Sequence, residues 1–151
     1  MTTPQIEVYI HAERDWVTEE LAETYAAALN HLAVDLLKRP QGPDHVLSTL
    51  KEVEISIVDD ETIAAVHAEF LNDPTPTDAI TFPYGEILVS CDTAERYAAE
   101  HGLERADELF RYMVHGLVHL HGYRDYEPQE REAMFAVQEP LVEQYVPRGN
   151  A

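Results

Sequence analysis

The sequence predicts an α/β fold with α+β layering, a single mixed four-stranded sheet packed with about five helices in the order βαβαββααα. Three observations carry that prediction. The segments Gln5–Ile10 and Glu52–Val58 alternate apolar and polar residues as half-buried strands do, with a long stretch of helical periodicity between them. Two more short apolar runs flank Tyr84-Gly85 within about ten residues, the spacing of a hairpin. The chain of 151 residues is 45% hydrophobic, which supplies one core, and it contains no linker, repeat or low-complexity tract. Residues 1–151 are therefore expected to form a single domain.

Taken in order, the first strand places Ile6, Val8 and Ile10 on one face. Asp15 and Thr18 open a helix that runs to about residue 37, with Leu21, Tyr25, Ala28, Leu29, Leu32 and Leu36 at helical spacing, and His31 on it reads as a surface residue. Pro40-Gln41-Gly42-Pro43 punctuates the chain, and the segment to about residue 49 reads as a loop. The second strand turns Val53, Ile55 and Ile57 to one side. Asp59 or Asp60 caps the next helix, whose apolar positions are Ile63, Val66 and Phe70; the acidic pair reads as an N-cap beside a helix dipole rather than as a metal pair. Residues 72–83 form a rigid loop feeding a strand, and Tyr84-Gly85 links it tightly to Glu86–Ser90. Asp92 with Glu95 has the pattern of a capping box, opening a helix that Gly102 closes after His101. A helix from about residue 104 to 121 follows. Pro128 stands in the first turn of the last helix, whose Met134, Val137 and Leu141 point inward and which Pro140 is expected to kink or shorten.

Composition narrows the function classes. There is no apolar run of transmembrane length and no basic, apolar leader, so the expectation is a cytoplasmic protein with no membrane partner. Cys91 is the single cysteine, and no CxxC offers a thiolate metal site; it reads as a small buried residue. The net charge is −19, with 29 acidic residues against 10 basic ones, and the only lysines are Lys38 and Lys51. A field of this sign repels polyphosphate at long range. Either nucleic acid is not the substrate, or the acidic surface is suited to high salt, where the screening length falls to about 3 Å at 1 M. Two lysines beside eight arginines favour the second.

The chemistry is concentrated in residues 111–125. His115 and His119 lie four apart on the predicted helix and so share one face, one turn above the other. Val114, Leu117, Val118 and Leu120 surround them, so two adjacent imidazoles in apolar company need polar partners. A metal ion is one such partner and an ordinary hydrogen-bond network is the other. Gly122 ends the helix as its left-handed C′ residue, and Asp125 is carried back past that end to offer an oxygen. Two nitrogens and one oxygen leave a fourth position for water, the donor set of catalytic rather than structural zinc, expected at one ion per chain. His121 is a rival ligand, but it lies about 200° around the helix from His119. Gly116 occupies the place where H-E-x-x-H peptidases carry their glutamate base, which argues against a peptidase of that class.

This segment resembles the H-G-x-L-H-L-x-G-x-D-H signature of the YbeY family of metal-dependent single-strand endoribonucleases. His115, Gly116, His119, Leu120, Gly122 and Tyr123 match in place, Val118 stands for a leucine, and Arg124-Asp125 stands where the family has Asp-His. Residues 76–83 likewise resemble the family's P-T-D-V-L-S-F-P element, and Gly85-Glu86-Ile87 resembles its G-D-I. The resemblance covers the chain from the second strand to the last helix and is weak before residue 50. It implies cleavage of single-stranded RNA in rRNA processing, at the 3′ end of 16S rRNA, a part in ribosome quality control, and the small ribosomal subunit as partner.

The departures bear on the site. Asp125 replaces a third histidine by a carboxylate, a competent zinc ligand that lowers the positive charge of the site by one unit. Leu71 stands where the family carries an arginine after the aromatic matched by Phe70; a cation there would neutralise charge developing on the phosphate. Arg124 is a candidate to supply that cation from the other side. Asp78, in the second matched element, either orients a ligand histidine or caps its own turn. No general base can be named. Two rival readings stand beside the ribonuclease: a metal hydrolase of a non-RNA substrate, which the acidic surface suits, and a ribosome assembly factor with a structural metal and little turnover.

Overall fold

The computed structural model describes residues 3–148 and contains the strands β1 (Gln5–Ile10), β2 (Glu52–Val58), β3 (Ala79–Phe82) and β4 (Glu86–Ser90). Its helices are α1 (Glu19–Leu36), α2 (Asp60–Leu71), α3 (Cys91–His101), α4 (Arg105–Leu120) and α5 (Pro128–Tyr145), in the expected order. The four strands form one mixed sheet in the spatial order β1-β2-β4-β3. β1, β2 and β4 run parallel, with Ile6 beside Val53 and Ile55 beside Ile87, while β3 returns antiparallel to β4 as the hairpin predicts. Parallel neighbours require crossover connections, and α1 makes the one between β1 and β2.

Periodicity decides which face each strand buries. Ile6, Val53, Ile55, Ile57, Ile87 and Val89 form one sheet face with no exposed area, packed with Tyr25, Leu29 and Leu32 of α1, Leu109, Met113 and Leu117 of α4, and Met134 and Leu141 of α5. The opposite face is covered only in part: Val58, Ile80 and Leu88 pack with Ile63, Val66 and Phe82 under α2. Among the described residues, no helix is long and apolar enough to cross a membrane.

Capping follows the sequence at α1 and α2, where Thr18 accepts from Leu21 N and Asp59 accepts from Thr62 N. Three expectations need correction. The cap of α3 is Ser90, whose hydroxyl accepts from Thr93 N, so Asp92 and Glu95 form no capping box. Asp92 instead pairs with Arg14 at 2.8 Å and accepts from Asp60 N, a tertiary choice that no local pattern encodes. The helix α5 runs through Pro140 to Tyr145, so of the two expected effects of Pro140 the shortening does not occur. Ala136, whose carbonyl loses its helical partner at Pro140, is exposed, which leaves that carbonyl on the solvent side of the helix. Within the expected loop a short 3-10 turn, Leu47–Thr49, sends Leu47 fully into the core. Cys91 is buried, donating to Val58 O at 3.3 Å, and burial pushes its thiol up to about 11, so it is unreactive at neutral pH.

That loop fastens the end of α4. Gly42 N donates to His121 O at 3.0 Å and Val46 N to Leu120 O at 2.8 Å, and the Tyr123 hydroxyl donates to Pro40 O at 2.8 Å. The backbones of Gly42 and Gly122 touch so closely that a Cβ built on Gly42 falls 2.0 Å from Gly122 O. Gly122 itself has φ of 105°, and its N donates to His119 O at 2.9 Å. Gly116 is needed for a different reason: a Cβ there meets the Ile87 side chain at 2.7 Å, so α4 lies against β4 and no glutamate fits.

The uncovered part of the sheet carries a charge row. Glu7 is the register partner of Glu54, and Glu54 is the partner of Glu86, so three carboxylates stand in line across β1, β2 and β4. Like charges directly opposite destabilise a sheet. The Glu54 carboxyl is held above the ordinary range by desolvation, then by Glu52, Glu86 and Glu7. Because the folded state binds the proton more tightly than the unfolded chain, this group's contribution is present below about pH 4.3 and lost as pH rises through the raised value. Glu54→Gln is therefore expected to raise the melting temperature at pH 7 in dilute buffer, and the gain should vanish at pH 4 and in molar salt, as thermal melts by circular dichroism would read. A gain independent of salt and pH would mean that the row does not strain the sheet.

Candidate metal centre

One cleft of about 770 Å³ lies between the C-terminal end of α4, the residue 72–83 loop with β3, and the end of α2. His115 and His119 open onto it from a helix otherwise buried on nearly every side, with 19% and 25% of their side-chain area exposed. Gly122 ends that helix and the following turn returns Asp125 over the two rings. The three residues that the sequence predicts as ligands thus converge: His115 Nε2 and His119 Nε2 are 3.0 Å apart, and Asp125 Oδ2 lies 3.5 and 3.4 Å from them. A tetrahedral ion with bonds of about 2.0–2.2 Å has ligand edges of about 3.3–3.6 Å. The two edges to Asp125 fall in that range, and the edge between the histidines is about 0.3 Å shorter, a shift that a small turn of either ring supplies.

Hydrogen bonding behind the rings decides where the lone pairs point. His119 Nδ1 is 2.9 Å from Tyr123 O, which only accepts, so Nδ1 carries the proton and Nε2 is the bare nitrogen. His115 Nδ1 is 2.7 Å from Gln138 Oε1. Gln138 Nε2 donates to Glu139 Oε2 at 2.9 Å, and a carboxylate only accepts; the amide therefore turns its oxygen to His115, which must donate from Nδ1. Arg111 holds Glu139 from Nε at 3.1 Å and reaches the buried Glu108 from its terminal nitrogen at 2.6 Å. Two Nε2 lone pairs and a carboxylate oxygen consequently face one point. A shared proton relieves one of those repulsions, whereas a cation relieves all three.

Electrostatics keep His119 ready for a cation. His119 is held below the ordinary histidine range, first by burial and then by the adjacent His115, which outweigh the Tyr123 carbonyl and Asp125. A lowered value leaves the ring neutral, with its lone pair free, at neutral pH. Because the unfolded chain then binds protons more readily than the folded one, stability falls as pH drops through about 6.5.

The other candidates lie elsewhere on the cleft. Asp78 lines it, but its Oδ1 accepts from Ala79 N at 2.7 Å, and the Nδ1 atoms of both histidines are held by Gln138 and Tyr123 O instead. Arg124 is the single Arg or Lys among the described lining residues, and Asp44 binds its guanidinium at 2.6–2.7 Å. Leu71 is exposed on the facing wall. His121 is fully buried with Nε2 2.9 Å from Arg39 O, on the far side of the helix, so it is no ligand to this point. His31 lies in a separate surface hollow with Lys38 and Tyr145, and Asp60 accepts from Ser90, Thr93 and Arg96 rather than joining Asp59 in a metal pair.

Sequence reasoning missed Gln138, although a signal was present. It stands four after Met134 and three before Leu141 on the inward stripe of α5, a polar residue where the period demands an apolar one. Removing its carbonyl frees the His115 ring to turn. Gln138→Leu is expected to weaken metal binding about 10- to 100-fold with the fold intact, as titration calorimetry with zinc and a parallel melt would show. Unchanged affinity would show that His115 needs no such orientation.

The family model and the curated relatives agree on one family. The family model described as Endoribonuclease YbeY matches residues 11–146. A protein named Endoribonuclease YbeY from Heliobacterium modesticaldum is 32% identical, the match covering 91% of this chain and 94% of the relative. One of the same name from Agrobacterium fabrum is 30% identical over 94% and 91%. A third, from Protochlamydia amoebophila, is 43% identical, but that match spans 54% of this chain and 62% of the relative. A solution structure of a protein from Thermotoga maritima superposes with a TM-score of 0.65 at 25% identity, covering 93% of this chain and 88% of the other.

Proposed function

This chain belongs to the YbeY endoribonuclease family, and from that premise we propose that it is a metal-dependent endoribonuclease that hydrolyses single-stranded RNA. We propose further that it acts in rRNA processing with the small ribosomal subunit as partner, in the cytoplasm, and that the native ion is zinc, one per chain. The observation that carries the hydrolytic reading is the meeting of two imidazole lone pairs and one carboxylate oxygen at the floor of an open cleft. His115, His119 and Asp125 would hold the ion. When bound, it supplies Lewis acidity towards a phosphoryl oxygen and lowers the pKa of coordinated water.

The chain's own residues do the rest. Gln138 and the Tyr123 carbonyl fix the two rings, and the Gly42–Gly122 contact fixes the turn that carries Asp125. Arg124, across the cleft from Leu71, becomes available to a phosphate only when the phosphate displaces Asp44. Support for this exchange is geometric: both groups stand at the cleft mouth with exposed side chains.

The test is metal content followed by cleavage. Purified protein is expected to hold one equivalent of a divalent ion and to cut a single-stranded RNA while sparing its duplex. Less than a small fraction of an equivalent, before and after reconstitution, would overturn the metal reading; hydrolysis of peptides in place of RNA would overturn the substrate. The exposed Leu71 and the paired Arg124 also favour a second reading, an assembly factor with a structural metal. Single-turnover cleavage measured beside RNA binding separates the two, since only the factor binds without cutting.

A further inference from the structure

Three aromatic rings leave the cleft in a row. Phe70, the penultimate residue of α2, meets Phe82 at the end of β3 edge-on, with centroids 5.4 Å apart, and Phe82 stacks on Tyr84 of the following turn at 5.6 Å and 21°. Phe70 and Phe82 line the cleft that holds His115 and His119, and Tyr84 extends the row away from it. Only the middle ring is packed, against Val58, Ile80 and Leu88; Phe70 is 60% exposed and Tyr84 68%. Tyr84 is held in place by its hydroxyl, which donates to Glu86 Oε1 at 2.8 Å. Exposed aromatics that are contiguous, oriented and continuous with a site are a binding surface rather than stray apolar residues.

The charges around the row decide what it takes. The cleft's single guanidinium is bound to Asp44, Glu86 lies at the outer end, and the whole chain carries −19. Among the described residues this cleft therefore offers no basic track along which an RNA backbone could run, the usual source of affinity. Stacking on an aromatic face is insensitive to charge and works for every base, but only where the base is not already stacked in a duplex. We infer that Phe70, Phe82 and Tyr84 form a nucleobase-stacking subsite that receives the unpaired bases flanking the scissile phosphate. This inference rests on the ribonuclease reading and adds the residues that would give it single-strand selectivity and tolerance of salt.

The test uses the full chain and a single-stranded oligoribonucleotide, with binding read by stopped-flow anisotropy before cleavage proceeds, beside the cleavage rate of the same strand. Tyr84→Leu and Phe70→Leu keep an apolar side chain and remove the ring at exposed positions, so a thermal melt should be unchanged. Each is expected to weaken oligonucleotide binding roughly five- to hundredfold and to raise KM for cleavage, while Tyr84→Trp restores affinity and its indole fluorescence is quenched by the oligonucleotide. With an oligonucleotide made abasic in its central segment, the Tyr84→Leu penalty should disappear, since no base remains to stack.

Wild-type protein that cleaves and binds RNA while both leucine variants match it would overturn the subsite and leave the ribonuclease reading standing. A penalty that persists on the abasic strand would overturn it also, assigning the rings to sugar or general apolar contact. Wild-type protein that neither binds nor cuts RNA would remove the ribonuclease reading itself. If the leucine variants convert an oligomer to monomer in sedimentation, with RNA affinity unchanged, the row is an interface between copies of this chain.

Discussion

His119→Ala is expected to lose the metal and RNA cleavage together. His119 supplies one of the three converging donors, and its Nδ1 is anchored to the Tyr123 carbonyl of the turn that leads to Asp125, so its removal deletes one proposed ligand and loosens another. Losing an outer partner alone costs about 10–100-fold in metal affinity, so losing this ring should cost at least about a hundredfold. Elemental analysis after dialysis reads the metal, and a fluorescent single-stranded RNA reads the cleavage. The structural cost should be small, because the ring is a quarter exposed and sits at a cleft rather than in the core. In metal-free protein the substitution is expected to stabilise slightly, since it relieves the Nε2 contact with His115 at 3.0 Å. An apo melting temperature that falls steeply would instead give His119 a packing role, and retained metal would move the site elsewhere.

The second large effect is expected at Asp125, where the chain parts from its family's signature. Asp125→Ala removes the only oxygen donor of the triangle and should weaken metal binding and cleavage together, again by at least about a hundredfold. Asp125→His should retain the ion, because imidazole is an equally competent zinc ligand. It should also move the alkaline rise of cleavage to lower pH, since a neutral ligand leaves the ion a stronger Lewis acid than a carboxylate does. A pH profile that stays in place in a metal-loaded Asp125→His protein would show that the ligand's charge does not set the ionisation governing the rate. Full metal content in Asp125→Ala would reduce Asp125 to a turn residue following Gly122.

These two positions also show how the site divides between local and distant information. His115 and His119 were legible because a helix repeats at about 3.6 residues, so four-apart residues share a face wherever the helix goes. Asp125 was legible through Gly122, since a left-handed end turns the chain back over the last turn. Asp78 was not decidable: a carboxylate in a Pro-rich turn can serve either its own backbone or a neighbour, and Ala79 N was the nearer donor. Arg124 was placed on the site by sequence adjacency, but its partner, Asp44, is 80 residues away.

By itself the sequence determined the element order, the buried faces of the first two strands, two of the helix caps and the three converging donors. All of these follow from periods of two and 3.6 residues and from the conformational preference of single residues, which act over a few positions. Tertiary structure alone decided the tautomers, through Gln138 on α5 and the chain of Glu139, Arg111 and Glu108 behind it. It decided the fastening of α4 by Gly42 against Gly122, and the capture of Asp92 by Arg14 in place of a capping box. It also set Phe70, Phe82 and Tyr84 in one row from a helix, a strand and a turn. The physical reason is common to all four: each hangs on a pairing of distant residues, His115 with Gln138, Gly42 with Gly122, Arg14 with Asp92 or Phe70 with Phe82, whose separation along the chain carries no periodic signal and which is settled only when the layers pack.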